Sequence, residues 1–404
     1  MNKNIKLAVA GAVLALSASA NAGIIIPAGD WTLDVSGNVN SFMSSYKNEG
    51  STAIGGGIVS SSAAADNKSV NAIGTGLLPN FLSIGASTRQ NDLDVAFAIS
   101  IQPGGDVGTA GALGTQNNRQ AYLTFGDKSW GSIKLGKDLG IFASDAILND
   151  MTLLGVGAGA GLGNATYGRI GTGFQYADWK SQAAYTTPNM GGFQATVGLT
   201  QNWGVTASTD TANVSSASSS TAQRSPSPAF EGKASYSFAA DNVTGKVWVS
   251  GISQKVTLLG VRAQDSTAYM GDIGANINFA GVGLTAYGYS GKGLGTTFQL
   301  LNGYSATGLA RDSSGGYVQA TYVLPTKTKV GISWGESTLD TADSVDASAN
   351  TGLVKSNEMT TVGAYHPLTK HLNLVAEYSH IKSEAQSGVE NKADSVSLGG
   401  ILFY

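Results

Sequence analysis

The 404-residue chain is 42% apolar but only 13% charged, about half the charged share of an ordinary soluble domain, so something other than ionic side chains must cover much of its surface. A mean hydropathy of +0.01 and the lack of any apolar run of about 18 residues beyond the N-terminus argue against a helical membrane bundle, while 15 Tyr, 12 Phe and 6 Trp argue against disorder. Fifty-five Gly and no Cys imply many turns and exclude thiolate metal sites and disulfides; the net charge of −3 gives no reason to expect nucleic-acid binding.

Lys3 and Lys6 precede an apolar run from Leu7 to Leu16, and small residues follow up to Ala20-Asn21-Ala22. That order is an export signal with an A-x-A cleavage site, and its apolar part is too short to span a bilayer. The expected division is a signal over 1–22 and one domain over 23–404. Losing the signal removes two bases and no acid, leaving 27 acids against 22 bases.

The next segment, from Trp31, alternates in steps of two: Trp31, Leu33, Val35 and Val39 on one face, Asp34, Ser36, Asn38 and Asn40 on the other. Leu93, Val95, Phe97 and Ile99 repeat the pattern, as do Phe193, Ala195, Val197 and Leu199, and Ile273, Ala275, Ile277 and Phe279. A soluble sandwich alternates in the same way, so the connections must decide. Short links are expected at 87–92, 126–131, 186–192, 239–245, 279–283, 324–329 and 366–371. Long polar links are expected near 47–79, 103–117, 138–168, 204–228, 255–268, 292–314, 338–356 and 384–392. Compact soluble domains seldom hold several structureless loops longer than about 12–15 residues. Short turns alternating with long loops are the pattern of an outer-membrane barrel, with short periplasmic turns and long extracellular loops. Seven turns and eight loops join sixteen strands, and barrels of 16–18 strands leave an aqueous channel. The predicted class is therefore all-β, a transmembrane antiparallel β-barrel lodged in an outer-membrane bilayer. The end of the chain, Leu402-Phe403-Tyr404, resembles the C-terminal assembly signal of bacterial outer-membrane barrels, which usually ends in Phe.

Other features read as ordinary. His366 and His371 flank a short link and have no metal-site spacing. The run 154–164, LGVGAGAGLGN, has neither the spacing nor the βαβ setting of a phosphate loop. Ser-rich stretches near 59–63 and 214–221 are loop composition. No catalytic constellation, metal site or cofactor site is expected.

The sequence Asn118-Arg119-Gln120-Ala121-Tyr122, a short turn, then Gly131-Ser132-Ile133-Lys134-Leu135-Gly136-Lys137 resembles the general porins of Gram-negative bacteria, the β-proteobacterial type above all. The segment from Ala184 to Phe193, with Thr187-Pro188-Asn189-Met190-Gly191-Gly192, is similar to a turn of the same family. The resemblance implies a homotrimer passing small hydrophilic solutes and ions through a pore that the third loop narrows by folding into the lumen. It also implies a basic wall at Arg119, Lys134, Lys137 and Arg169, facing loop acids Asp138, Asp145 and Asp150. Alternation puts Lys134 opposite Ile133 and Leu135, and Arg169 opposite Ile170 and Phe174; for Arg119, Leu123 and Phe125 share its face and leave its direction open. Where the family commonly carries an Arg near the second strand, this chain has Asn80-Phe81-Leu82. A substrate-selective channel, or an adhesin or structural barrel with a plugged lumen, are the alternatives.

Overall fold

The computed structural model describes residues 23–59, 61–62, 68–103, 116–159, 165–202, 222–224, 227–259 and 264–404. The export segment 1–22, most of the second and fourth long links, and residues 160–164 of the glycine run lie outside them.

Sixteen antiparallel strands form the barrel wall: β1 (Trp31–Glu49), β2 (Phe81–Gln90), β3 (Leu93–Pro103), β4 (Gln116–Asp127), β5 (Gly131–Leu139), β6 (Trp179–Thr186), β7 (Phe193–Thr200) and β8 (Ala229–Ala240). The circuit continues through β9 (Val243–Leu259), β10 (Gln264–Phe279), β11 (Val282–Lys292), β12 (Asp312–Val323), β13 (Lys329–Leu339), β14 (Val354–Pro367), β15 (Leu372–Ala385) and β16 (Glu390–Phe403). Each strand pairs with the next, and β16 closes on β1 from Lys392↔Glu49 to Phe403↔Asn38. Closure leaves the wall no free edge, and every spanning strand has backbone partners on both sides, as a bilayer requires.

The faces explain why these sequences belong in such a wall. On β1, Asn38, Asn40 and Ser44 point inward and are buried, while Val39 and Met43 point outward and are 58% and 59% exposed. Leu123, Val197, Ile273, Val318, Ile332 and Leu398 are likewise exposed on the outer face, and Thr124, Ser333, Thr361 and Ser397 are buried on the inner one. That is the reverse of a soluble protein, and it suits hydrocarbon outside and water inside. Exposed aromatics near the short-turn rim, among them Trp130, Tyr185, Phe193, Tyr236 and Tyr322, fit an interfacial girdle.

All seven short links fall where expected. Asn91 and Asp92 both take the left-handed conformation, at φ 47° and 60°, which gives a two-residue hairpin the twist its strands need. Two of the expected long links are corrected. Strands β9 and β10 run to Leu259 and from Gln264, and β15 and β16 leave only 386–389 between them, because polar outward residues such as Lys255, Thr267, Lys382 and Lys392 let the hairpins continue above the apolar band. The strand count survives because the short turns fix it. The first long link is corrected too: Ser69–Gly74 pairs with Lys47–Phe42 of β1, and Phe81–Asn38 begins the pairing of β2 with the same strand. The second wall strand is thus in two pieces, and residues 75–80 between them turn inward.

The chain ends in a three-strand clasp. Tyr404 and Gly37 exchange backbone hydrogen bonds of 2.8 and 3.0 Å, and the Tyr404 hydroxyl donates across β1 to the Phe81 carbonyl of β2 at 3.3 Å. Only a residue without a Cβ fits there, since one at Gly37 would lie 2.1 Å from the Phe81 carbonyl oxygen and 2.8 Å from the tyrosine oxygen. Leu402 faces outward at 40% exposure, and Phe403 packs inward beside the Phe42 and Ile401 cluster.

Candidate functional site: the third loop and the lumen wall

The described parts of the third long link, residues 140–159 and 165–178, lie inside the barrel. Their sequence is unusually apolar for a loop, and Phe142, Ala146, Met151, Leu153, Val156, Ile170 and Phe174 are all buried. A short helical turn, α1 (Ser144–Leu148), and a 3-10 turn, Met151–Leu154, carry the first half. Met151 and Val156 pack on Phe42, Tyr365 and Val375 of the wall; Phe142, Ala146 and Phe174 pack with Trp248, Tyr287 and Tyr317.

A buried backbone needs partners, and two wall carboxylates supply them at opposite ends of the crossing. Near the loop's start, one oxygen of Glu231 on β8 accepts the Ile141 and Phe142 amides, each at 2.8 Å. Its other oxygen accepts from Lys180 at 2.5 Å and Thr200 at 2.8 Å. Across the lumen, one oxygen of Glu377 on β15 accepts the Val156 and Gly157 amides at 2.8 and 2.9 Å, and the other accepts the Tyr365 hydroxyl at 2.6 Å. Gly155 is needed there, because a Cβ would meet the Glu377 carboxylate at 2.0 Å. Between these ends, Gln319 on β12 accepts the Met151 amide at 2.7 Å and donates to the Asn149 carbonyl at 3.1 Å. The inward turn of residues 75–80 completes the seat: the Leu77 amide donates to the Gly155 carbonyl at 2.9 Å, and Thr166 to that of Gly76 at 3.0 Å.

The expected site residues divide. Asp145 is the loop acid set against wall bases, but those bases are Lys233 on β8, at 3.2 Å, and Lys246 on β9, in direct contact. Burial raises the Asp145 pKa, and the two lysines outweigh it and hold the carboxyl below its ordinary value. Asp150 caps the 3-10 turn by accepting from the Thr152 amide at 3.1 Å and faces Arg169 at 3.7 Å. Burial pushes the Asp150 carboxyl up against the pull of Arg169.

Three expectations are corrected. Arg169 is no wall residue: the loop runs ten residues further than expected, to 178, and Arg169 lies within it, fully buried, donating to the Met359 carbonyl at 3.0 Å with Tyr317 below its guanidinium. Asp138 is no loop acid: it ends β5, 1% exposed, held by Lys134 and by Gln120 at 3.0 Å. Lys137 shares the outer face of Leu135, and its register partners Ala121 and Ser181 are exposed, so it does not face the lumen. Lys134, on the opposite face, does.

Arg119 faces inward because the β3–β4 register shifts between Ser100 and Gln102. The Arg119 amide donates to the Gln102 side chain at 3.0 Å, and the guanidinium lies 5.8 Å from the centre of the Trp179 ring. There it borders a cavity of about 80 Å³ between the loop and the inner wall of β2–β4, room for about three waters.

The anchoring residues Lys233, Lys246, Glu231 and Glu377 were not anticipated. Glu231 and Lys233 alternate with outward Phe230, Gly232 and Ala234, so the wet face of β8 carried the signal. Nothing local marks Glu377 as an amide acceptor, since its partners lie more than 200 positions away.

A sixteen-stranded barrel, apolar outside, polar inside and crossed by its third loop, defines an outer-membrane channel. A sequence profile described as Gram-negative porin matches residues 7–386, and the chain belongs to that family of passive outer-membrane channels. No curated protein matches it. Among solved structures, it is similar to the outer membrane channel DcaP of Acinetobacter baumannii, at 18% identity and TM-score 0.67, covering 95% of this chain and 100% of that one. An anion-selective porin from Comamonas acidovorans matches at 15% and 0.62, covering 93% and 100%. The trimer form of in-vitro folded OmpT from Vibrio cholerae matches at 14% and 0.54, covering 93% and 99%.

Proposed function

We propose that this channel lets small hydrophilic solutes and ions diffuse through a passage narrowed by residues 140–178, and that it does so as a homotrimer after residues 1–22 are cleaved on export. The observation that carries the narrowing is the loop's attachment at both ends of its crossing, to Glu231 and to Glu377. The trimer rests on family resemblance and on the trimeric form of one structural neighbour. The transport needs no cofactor, metal or catalytic group.

In this reading Arg119, with the Lys134–Asp138 pair beside it, supplies the charge of the wall at the passage. The loop acids Asp145 and Asp150 serve mainly to fix the loop. Two unit charges about 4 Å apart interact by ≈ 1 kcal/mol in water and ≈ 4 kcal/mol at an effective dielectric of 20, enough to bias ions without trapping them. Purified protein in planar bilayers is expected to give discrete conductance steps, and deletion of residues 143–175 to enlarge them. Correctly folded protein that gives no steps would overturn the channel reading; a deletion that leaves the step size unchanged would overturn the narrowing.

A further inference from the structure

The sixth long link, residues 293–311 between β11 and β12, also turns into the barrel. Leu294, Gln299 and Leu300 are buried, and the Gln299 side chain accepts from Lys180 on β6 at 2.7 Å and donates to the Tyr176 carbonyl of the third link at 3.2 Å. β6 stands five strands from β11, and with strands about 4.8 Å apart and tilted about 40° that is a chord of roughly 25 Å in a barrel about 32 Å across. The link therefore crosses most of the lumen. It lies on the second half of the third link: the Tyr176 amide donates to the Thr297 carbonyl at 2.9 Å, the Gln175 side chain to the Leu294 and Gly295 carbonyls at 2.5 and 3.2 Å, and the Phe298 ring meets that of Tyr176 edge-on at 5.9 Å. The first link joins them from another side, its Ile58 and Val59 amides donating to Asn357 of β14 and Ser383 of β15, each at 3.0 Å. The three links meet at Gly171, where a Cβ would lie 2.6 Å from the Thr297 hydroxyl and 3.1 Å from the Ile58 side chain.

The two ends of the lumen differ accordingly. At the short-turn end the inward residues Ser87, Thr186, Gln194, Ser237 and Asn278 are exposed or half-exposed, whereas at the long-link end Gln102, Gln182, Gln254, Ser337 and Ser383 on the same inner face are buried. We infer that residues 293–311 are a second restricting element, which closes down the extracellular entrance above the third link and makes the channel wide at its periplasmic mouth and narrow at its outer one. This rests on the channel reading above and adds a second restriction to it. Arg311, at the root of the link, is its positioning residue. The guanidinium donates to both carboxylate oxygens of Asp346, at 2.7 and 2.6 Å, and to the Asn302 carbonyl at 2.9 Å. Asp346 lies in the short helical turn α2 (Ser344–Ala349) of the seventh link and also accepts the Ala342 amide at 2.9 Å. A bidentate pair fixes direction as well as distance, and this one is almost wholly buried, so the sixth link is held at one angle to the seventh.

Polymer exclusion in planar bilayers tests this, because a poly(ethylene glycol) that enters a mouth lowers the single-channel conductance and one that is excluded does not. Added to one compartment at a time, polymers of graded mass are expected to enter the wild-type channel up to a larger size from one side than from the other. Replacing residues 294–310 by Asn-Gly leaves a plain hairpin, since the Gly293 amide already donates to the Arg311 carbonyl at 2.9 Å and that dipeptide suits a two-residue turn. The replacement is expected to raise the conductance and abolish the difference between the sides. Arg311→Gln keeps the chain length and is expected to raise the size limit on the narrow side alone, as is Asp346→Asn. Heat-modifiable gel mobility confirms a folded barrel in each variant. Equal limits on both sides of a conducting wild-type channel overturn this inference and leave the channel reading standing, whereas a folded barrel without conductance overturns both. A difference that survives the Asn-Gly replacement overturns the assignment to the sixth link. One that the replacement abolishes, but that neither Arg311→Gln nor Asp346→Asn alters, overturns the positioning role of Arg311.

Discussion

If the third loop is held across the lumen by Glu377, replacing that side chain with its amide should loosen the far end of the loop without removing any volume. In Glu377→Gln the two amide acceptor bonds, at 2.8 and 2.9 Å, change from charged to neutral, and the bond from Tyr365 must reverse or break. Hydrogen bonds to charged groups contribute about 1.5–3 kcal/mol each and neutral ones about 0.5–1.5, so two or three bonds weaken by a gross 2–4 kcal/mol. Burying a carboxylate is itself costly, and the substitution recovers part of that cost. The lower value, about 2 kcal/mol, is therefore expected, roughly a thirtyfold shift toward a detached loop. Single-channel recording in planar bilayers should show a larger-conductance substate and more open-channel noise, in protein whose heat-modifiable gel mobility confirms a folded barrel. Gly155→Ala attacks the same joint sterically, with a Cβ 2.0 Å from the carboxylate, and should give the same signature. Wild-type noise and a single conductance level in both variants would refute the anchoring argument.

Three further outcomes are expected. Asp145 is held below the ordinary carboxylate pKa, so its pairing stabilises the fold above the unfolded value near 3.9 and that contribution disappears as pH falls through the folded value; the wild-type thermal midpoint should drop below about pH 4 more than that of Asp145→Asn, and parallel pH curves would contradict the pairing. Tyr404→Ala removes both the ring over Gly37 and the bond to Phe81; it is expected to cost about 1–3 kcal/mol, read as a lower temperature for loss of the compact gel band, and an unchanged temperature would dismiss the clasp. Lys137→Ala should leave reversal potentials in a salt gradient unchanged, because Lys137 shares the outer face of Leu135; a shift as large as that of Arg119→Ala would return it to the lumen.

The wall was legible in the sequence and the loop's seat was not, for one physical reason. A strand exposed to lipid on one face and water on the other repeats every two residues, so Val39 and Met43 against Asn38, Asn40 and Ser44 declare their sides locally. Short turns are local too, and Asn91 and Asp92 announce one. Loops five and eight were misjudged because polarity above the membrane band resembles loop composition even where the backbone stays in strand. Arg169 and Asp138 were exchanged between wall and loop because their placement depends on where β5 ends and β6 begins, and the apolar residues from Ile170 to Phe174 imitate a strand face while packing on Tyr317. Arg119 needed the register shift opposite Gln102, which alternation cannot show.

The location of the charges alters what the loop acids do. A transverse field across the passage would require acids on the loop surface opposite Arg119, yet that surface presents Ile147, Leu148, Leu153 and Ile170, while Asp145 and Asp150 lie against cations elsewhere. Paired with Lys233 and Lys246, Asp145 reduces the local cationic excess and contributes chiefly to position; its removal should weaken the seat and release the potential of two lysines. Arg119 differs in its surroundings, because the other side chains bordering its cavity are uncharged, most of them apolar, with Gln102, Gln120, Thr166 and Tyr176 adding polar groups. The anchoring residues therefore lie on a different side of the loop from Arg119, and substitutions should separate them: changes at Glu231, Glu377 and Asp145 are expected in noise and stability, and a change at Arg119 in ion preference.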